Sequence, residues 1–274
     1  MNNKISISVI IPVYNEEHCI KQCLDAVWAQ EYVNEVIVID NNCTDNTVNI
    51  VKKHYKKTII LKEHRQGQQY AQALGFDRST GDIIARIDAD TILPNLWSNQ
   101  LINIFDKNQK FNAVTGYGYS RTGIKSRKFG RLWTIIYYAE AKAILGVSVL
   151  WGSNMAIKKD VWQKARQFYY MGDKKVHDDQ SLSLALATTS EPILLAPNLV
   201  VSVDSGSIMR LGKLWSYYKL QIITKMIYKN IHWRFKSNIF KRLLLFVVTL
   251  PIVIGWFLFS IIYTLFKRKI KIWI

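Results

Sequence analysis

Cysteine is scarce in this chain: its 274 residues carry three, Cys19, Cys23 and Cys43. An odd, sparse set excludes a disulfide scaffold and points to reduced, packed thiols. Cys19 and Cys23 are spaced to share a helical face, but no second ligand pair accompanies them, so no zinc site is expected. In a reducing compartment the Asn42-Cys43-Thr44 glycosylation sequon is incidental. Acidic residues are also in short supply, 20 Asp and Glu against 37 Lys and Arg, for a formal net charge of +17. That imbalance fits an anionic partner: nucleic acid, a nucleotide or an anionic membrane. Zinc-finger, RNP-type and basic-zipper patterns are missing, so nucleic acid is not the expected partner. Repeats and low-complexity segments are missing too. No secretory signal is visible, because the apolar run Ile5–Val13 is short and ends in Pro-Val-Tyr-Asn-Glu. It reads as a buried first strand.

What is present is an alternation. Ile5–Val13, Glu35–Asp40, Thr58–Lys62 and Asp82–Asp88 read as strands, separated by helical segments Glu16–Gln30, Thr44–His54 and Gln68–Arg78. Short β-rich runs separated by helix-length segments imply an α/β domain with a mostly parallel sheet. In such sheets ligands gather beyond the C-terminal strand ends, where Asn15, Asp40 and the Asp88-Ala89-Asp90 turn fall. Further on, Ala113–Tyr119 reads as a strand, Arg131–Leu145 as an aromatic-rich helix, Val149–Ile157 as extended around Gly152 and Gln180–Ala187 as a helix. The α/β domain is expected to span residues 1–207, its last strand near Leu199–Val203.

Beyond it the composition changes. Residues 208–242 mix Trp215, Tyr217, Tyr218, Tyr228 and Trp233 with Arg210, Lys213, Lys219, Lys225 and Lys229, which suits an interfacial amphipathic helix or a helix packed on the domain. Residues 243–266 are an almost unbroken apolar stretch, long enough to cross a bilayer as a transmembrane helix or to re-enter it as a kinked hairpin at Pro251 and Gly255. Residues 267–274 form a basic tail, and basic flanks on both sides leave the orientation open.

Three segments carry candidate chemistry. Asp88 and Asp90, one residue apart at a strand end, are able to converge on a hard cation, Mg²⁺ or Mn²⁺, with positions left for phosphate oxygens. Pro12-Val13-Tyr14-Asn15-Glu16 either offers the Tyr14 ring to a stacked base or is a strand exit capped by Asn15. Asp40-Asn41-Asn42-Cys43-Thr44-Asp45 either accepts a hydrogen from a base N–H or is a structural turn. The glycine-rich loop of nucleotidyltransferases is absent after the first strand.

In this order the three segments resemble the family-2 glycosyltransferases of the GT-A fold, a Rossmann-like sheet flanked by helices. The likeness continues at Gly152-Ser153-Asn154-Met155-Ala156 and at His177-Asp178-Asp179-Gln180-Ser181-Leu182, and covers roughly residues 5–210. It implies an enzyme that uses a nucleoside-diphosphate sugar, by analogy UDP-linked, and inverts the anomeric centre. It implies a donor site drawn from Pro12, Tyr14, Asn15, Glu16, Asp40, Arg65, Asp88, Ala89, Gly152 and Asn154. The metal would sit on Asp90 with Asp88, and Asp179, helped by Asp178, would be the general base. His177 reads as a group behind the base or as a structural histidine. Asn41 stands where many relatives carry a second aspartate, and the Q-x-x-R-W signature of processive synthases is missing. The expectation is therefore one sugar per encounter, passed to a lipid-linked or other glycan acceptor at a membrane, with the catalytic domain facing the cytoplasm. A polyprenyl-phosphate acceptor and a non-catalytic sugar-nucleotide binder are the competing readings.

Overall fold

The computed structural model describes residues 5–121, 127–173, 175–204 and 219–228. Seven strands form one sheet: β1 (Ile7–Val13), β2 (Val33–Asp40), β3 (Ile59–Lys62), β4 (Ile83–Arg86), β5 (Ala113–Ser120), β6 (Met155–Lys158) and β7 (Ile193–Val203). Their order across the sheet is β3-β2-β1-β4-β6-β5-β7. Neighbours pair in parallel except at β6, which runs against both β4 and β5. The mostly parallel α/β sheet expected from the alternation is present.

The sheet is buried on both faces, as crossover helices on a parallel sheet require. Successive residues of a strand therefore serve different cores. Val9, Ile11 and Val13 of β1 and Val36 and Val38 of β2 pack on one side, against α1 (Ile20–Trp28), α2 (Thr47–His54) and α4 (Trp97–Lys107). Ile10, Ile37 and Ile39 pack on the other, against α3 (Gln68–Arg78), α5 (Arg127–Leu145), α6 (Lys159–Ala165) and α7 (Asp178–Thr188). Helix α1 buries Ile20, Cys23, Leu24 and Val27, the spacing of one helical face. Each such aliphatic side chain contributes roughly 1.5–3 kcal/mol of burial.

Several boundaries differ from the sequence expectation, and the differences create loops at one edge. Strand β4 stops at Arg86, which frees Asp88 from the ladder. Helix α1 begins at Ile20 rather than Glu16, leaving Tyr14–Cys19 as a loop in which Asn15 adopts φ 59°. Asn42 likewise has φ 69°, a left-handed conformation that asparagine tolerates better than most residues. The expected extended segment Val149–Ile157 is broken by a 3₁₀ turn at Gly152–Asn154 before β6 begins. Because β6 is antiparallel, its N-terminal turn reaches the same edge as the C-terminal ends of β1, β2 and β4.

Of the C-terminal segment, residues 219–228 form helix α8. One face, Gln221, Thr224 and Tyr228, is buried against the catalytic domain. Thr224 Oγ1 accepts the His177 N–H at 3.0 Å, and the Tyr228 hydroxyl accepts the Tyr170 N–H at 3.1 Å while bonding Ser181 Oγ at 2.8 Å. The opposite face exposes Lys219, Ile222 and Met226. The rest of the expected interfacial segment, the expected span 243–266 and the tail 267–274 lie outside the described residues. Among the described residues no helix is long and apolar enough to cross a membrane.

Candidate active site

The Asp88-Ala89-Asp90 turn follows β4 and is closed by the Thr91 N–H to the Asp88 carbonyl at 3.0 Å. Its two carboxylates have different surroundings. Asp88 is engaged on both oxygens: Oδ1 lies 3.0 Å from Arg86 Nη2, and Oδ2 accepts a short hydrogen bond from the Ser153 hydroxyl. No hydrogen bond or ion pair holds the Asp90 carboxylate among the described residues. Its backbone carbonyl is fixed by Arg121 Nη2 at 2.9 Å. Burial, then the negative charges of Asp88, Glu16 and Asp204, push the Asp90 carboxyl up to about 7 against the pull of Arg121. A partly buried, unpaired carboxylate amid three others is a place where a hard divalent cation relieves repulsion. The residues thus fit a Mg²⁺ or Mn²⁺ site centred on Asp90. Cys23 packs beneath this loop, its Sγ 3.7 Å from the Asp88 carbonyl, and the Cys19 thiol donates to Glu16 Oε2 at 3.2 Å. Burial pushes both thiols up, so they are protonated spacers rather than ligands.

The raised Asp90 carboxyl has a measurable consequence. The folded chain holds a proton on Asp90 that the unfolded chain has released, across the window from about 4 to about 7. Metal-free stability therefore contains an Asp90 contribution that falls as pH rises through that window. A cation must displace the same proton, so its affinity weakens by up to about tenfold per unit below pH 7. The rise in melting temperature caused by Mn²⁺ is expected to be larger at pH 8 than at pH 6; equal shifts at both would contradict the assignment.

Opposite the metal side, Asp178 and Asp179 open α7, where the helix dipole favours negative charge. Both are buried. Asp178 Oδ2 lies 3.1 Å from Arg86 Nη2. Asp179 Oδ1 lies 2.6 Å from His177 Nδ1, and Oδ2 accepts the Gly152 N–H at 3.0 Å. Burial raises both carboxyls, but His177, Arg86 and the Gly152 N–H hold Asp179 below the usual carboxylate range. Asp178 ends above it, since Arg86 only partly offsets burial and the charge of Asp179. Burial lowers His177, yet the adjacent Asp179 prevails and raises it. His177 thus stands directly on the candidate base. The His177-Asp178-Asp179 group has the donor types of a metal site, but its charges are already answered by Arg86 and the imidazole. Asp90 is the better place for a cation.

The family model of glycosyl transferase family 2 matches residues 8–166. The chain belongs to this family. Among curated relatives it is 37% identical over 98 residues to the glycosyltransferase AglE of Haloferax volcanii, covering 33% of this chain and 32% of that one. It is 31% identical over 135 residues to the poly-beta-1,6-N-acetyl-D-glucosamine synthase of Staphylococcus epidermidis, covering 48% and 32%. The chain thus spans about a third of the length of these relatives. Its fold is similar to that of the mannosyltransferase PcManGT from Pyrobaculum calidifontis, solved with GDP-Man and Mn²⁺, at a TM-score of 0.67 and 20% identity over 94% of this chain and 73% of that one. It is similar as well to the glucosyl-3-phosphoglycerate synthase of Mycobacterium tuberculosis, solved with Mn²⁺, UDP and phosphoglyceric acid, at 0.61 and 20% over 82% and 78%. The GT-A-like fold is therefore shown.

Within this family-2 chain the residues expected to hold the nucleotide divide in two. Tyr14 is 52% exposed at the end of β1, a bare ring suited to stacking. Asp40 shares that edge; its Oδ1 accepts the Cys43 N–H at 2.8 Å and its Oδ2 lies 3.8 Å from Lys62 Nζ. Glu16 faces Asp90 closely enough to raise it. The others act from below or not at all. Asn154 is corrected outright: it is fully buried, its amide donating to the Tyr117 and Leu199 carbonyls at 3.1 and 2.8 Å and accepting from Trp97 Nε1 at 3.1 Å. It knits β5 to β7 and has no free polar atom for a donor. Ala89, 2% exposed, and Pro12, buried in β1, present no side chain to a ligand. Asn15 Oδ1 accepts the Thr44 and Asp45 N–H groups at 2.8 and 3.3 Å, so its amide pins the second loop to the first. Arg65 is committed to Glu63 through Nε at 3.1 Å and Nη2 at 3.0 Å and lies over the Tyr70 ring. Gly152 lends its N–H to Asp179 rather than to a sugar.

The structure also explains Asn41. Its amide nitrogen donates to the Glu63 and Arg65 carbonyls at 3.1 and 2.7 Å, and its oxygen accepts the Gly67 N–H at 2.9 Å. An ionised aspartate here could not donate to those carbonyls. Two further residues escaped the sequence reading, Arg86 and Ser153. The signal for Arg86 was visible: one arginine inside the apolar run Ile83-Ile84-Ala85-Arg86-Ile87, where a buried cation needs carboxylate partners.

Proposed function

We propose that this chain transfers a sugar from a nucleoside-diphosphate sugar, by analogy UDP-linked, to a hydroxyl of a membrane-associated or lipid-linked glycan, with inversion. The observation that carries the reading is a cluster of carboxylates along one sheet edge: Asp90, unpaired among the described residues, beside Asp88, then Arg86 joined to both Asp88 and Asp178, and the His177–Asp179 pair next to Asp178. Tyr14 stacks the base and Asp40 accepts its N–H. Asp90 and Asp88 hold Mg²⁺ or Mn²⁺, which when bound neutralises the departing diphosphate. Asp179 takes the acceptor proton as the new C–O bond forms on the face opposite the leaving group, and His177 stabilises the carboxylate while it waits. The Mn²⁺ complexes of the two fold neighbours support the cation.

Membrane contact is part of the proposal. Helix α8 exposes Ile222 and Met226, and α5 exposes Leu132 and Ile135 beside Arg127, Lys128 and Arg131. Apolar residues interleaved with cations suit an anionic lipid surface, and the 243–266 stretch supplies the anchor, as a full span or a re-entrant hairpin. Because nucleotide sugars are made in the cytosol, the catalytic domain faces that side. Membranes containing the protein, incubated with radiolabelled UDP-glucose, UDP-N-acetylglucosamine and GDP-mannose plus Mn²⁺, are expected to move label into the lipid extract, and EDTA is expected to stop it. Consumption of none of these or other nucleotide sugars would refute the reading.

A further inference from the structure

Arg86 closes β4 and, among the described residues, is the largest buried charged side chain, 2% exposed. A single nitrogen, Nη2, lies 3.0 Å from Asp88 Oδ1 and 3.1 Å from Asp178 Oδ2. The turn at Gly152 closes over the same guanidinium: a Cβ at Gly152 would collide with Nη1 and force the guanidinium to shift. That turn then hands its N–H to Asp179 and, one residue on, the Ser153 hydroxyl to Asp88. All three carboxylates that flank Arg86 are thus aimed by it directly or by the turn packed on it.

An ion pair of this kind is a poor way to stabilise a core. Desolvating the charges is costly, and a well-packed apolar residue in place of such a group is often neutral or stabilising. Lysine is no equivalent, since one flexible ammonium cannot both meet the two carboxylates as Nη2 does and fill the space beneath Gly152 as Nη1 does.

We infer that Arg86 is a positioning residue: it sets the cation-side Asp88 and the base-side Asp178–Asp179 pair in fixed register across β4, α7 and the Gly152 turn. The inference rests on the site assignment proposed above. Its signature is a loss in turnover larger than the loss of donor affinity, because Tyr14 and Asp40 would hold the nucleotide from β1 and β2 and Arg86 is not among the groups acting on Asp90, the principal cation carboxylate. Misplacement of reacting groups by about 1 Å is enough to cost about a hundredfold in rate.

The test uses the full chain in membranes. Binding of Mn²⁺ with UDP or with GDP is measured by calorimetry, and kcat and KM are measured with whichever of UDP-glucose, UDP-N-acetylglucosamine or GDP-mannose the wild type consumes. Arg86→Lys is expected to lower kcat by about 30- to 100-fold while nucleotide affinity and KM change by less than about threefold. Arg86→Met with Asp178→Asn removes both charges, and is expected to lose no more turnover than Arg86→Met alone, because the two residues act as one unit. If the two losses multiply, Arg86 does not act through Asp178 and the inference falls. It falls equally if Arg86→Lys turns over like the wild type, or if its nucleotide affinity drops in step with kcat. Should Arg86→Lys not fold, the double variant, compared with Asp178→Asn alone, decides by the same kcat-against-KM split. A wild type that neither binds nor consumes any of these nucleotides removes the site assignment itself, a different failure from one confined to the variants.

Discussion

Asp90→Asn is expected to abolish Mn²⁺-dependent nucleotide binding and to lower sugar transfer by about 10²–10³-fold, the scale of losing a principal group that stabilises transition-state charge. The asymmetry of the turn is the reason. Asp88 has both oxygens committed, to Arg86 and Ser153, whereas the Asp90 carboxylate is unpaired among the described residues and is raised by burial and by three neighbouring acids. An amide keeps the shape and removes the charge, so the repulsion disappears along with the affinity for a cation. The metal-free variant is therefore expected to melt no lower than the wild type at pH 8, and to lose the Mn²⁺-induced rise in melting temperature. Calorimetry with Mn²⁺ and UDP or GDP, alongside transfer to lipid, checks both halves. Mn²⁺ binding of wild-type strength in Asp90→Asn would move the cation elsewhere, and the His177-Asp178-Asp179 group would be the place to look.

Asp179→Asn is expected to lower kcat by about 10²–10⁴-fold with little change in nucleotide affinity, the range for removing a general base. The carboxylate sits 2.6 Å from His177 Nδ1 and takes the Gly152 N–H at 3.0 Å. Those contacts aim it and keep it ionised, since His177, Arg86 and the Gly152 N–H together outweigh burial and hold its carboxyl below the usual range. The sign follows: proton uptake by Asp179 does not limit activity near neutral pH, and a fall in rate below pH 7 belongs to Asp90 and its cation. The size of the Asp179 effect also identifies the acceptor. A hydroxyl needs its proton removed, whereas a phosphate already carries the charge. A loss of several orders of magnitude would exclude the polyprenyl-phosphate acceptor, and a mild loss would favour it. A variant that binds donor normally yet neither transfers nor hydrolyses it also separates an enzyme from a non-catalytic binder.

The local patterns that survived folding were those with a local cause. Continuous apolar runs became strands buried on both faces, and the spacing in Gln68–Arg78 became helix α3 with no change of bounds. Helix α4 went unread although Trp97, Leu101, Ile102 and Phe105 recur at the spacing of one helical face, and α6, seven residues long, is too short for such a period to stand out. Asn154 shows the limit at the site. A motif position attracts a ligand-binding reading, yet its amide is consumed by carbonyls of two strands more than thirty residues away in the chain.

By itself the sequence determined the family, the parallel α/β architecture and the types of group available at the strand ends. These depend on hydrophobic period and motif order, which are properties of short stretches of chain. Only the tertiary structure decided which carboxylate of the Asp88-Ala89-Asp90 turn is left unpaired among the described residues, that His177 contacts Asp179, and that Asn15, Asn41 and Asn154 are spent on loops and strands. It also brought Arg86, Asp88 and Asp178 around one nitrogen, 92 positions apart in the chain at the widest (178 − 86). A carboxylate's pairing, burial and proton affinity depend on which distant residues the fold places within about 4 Å of it, and no local pattern encodes that.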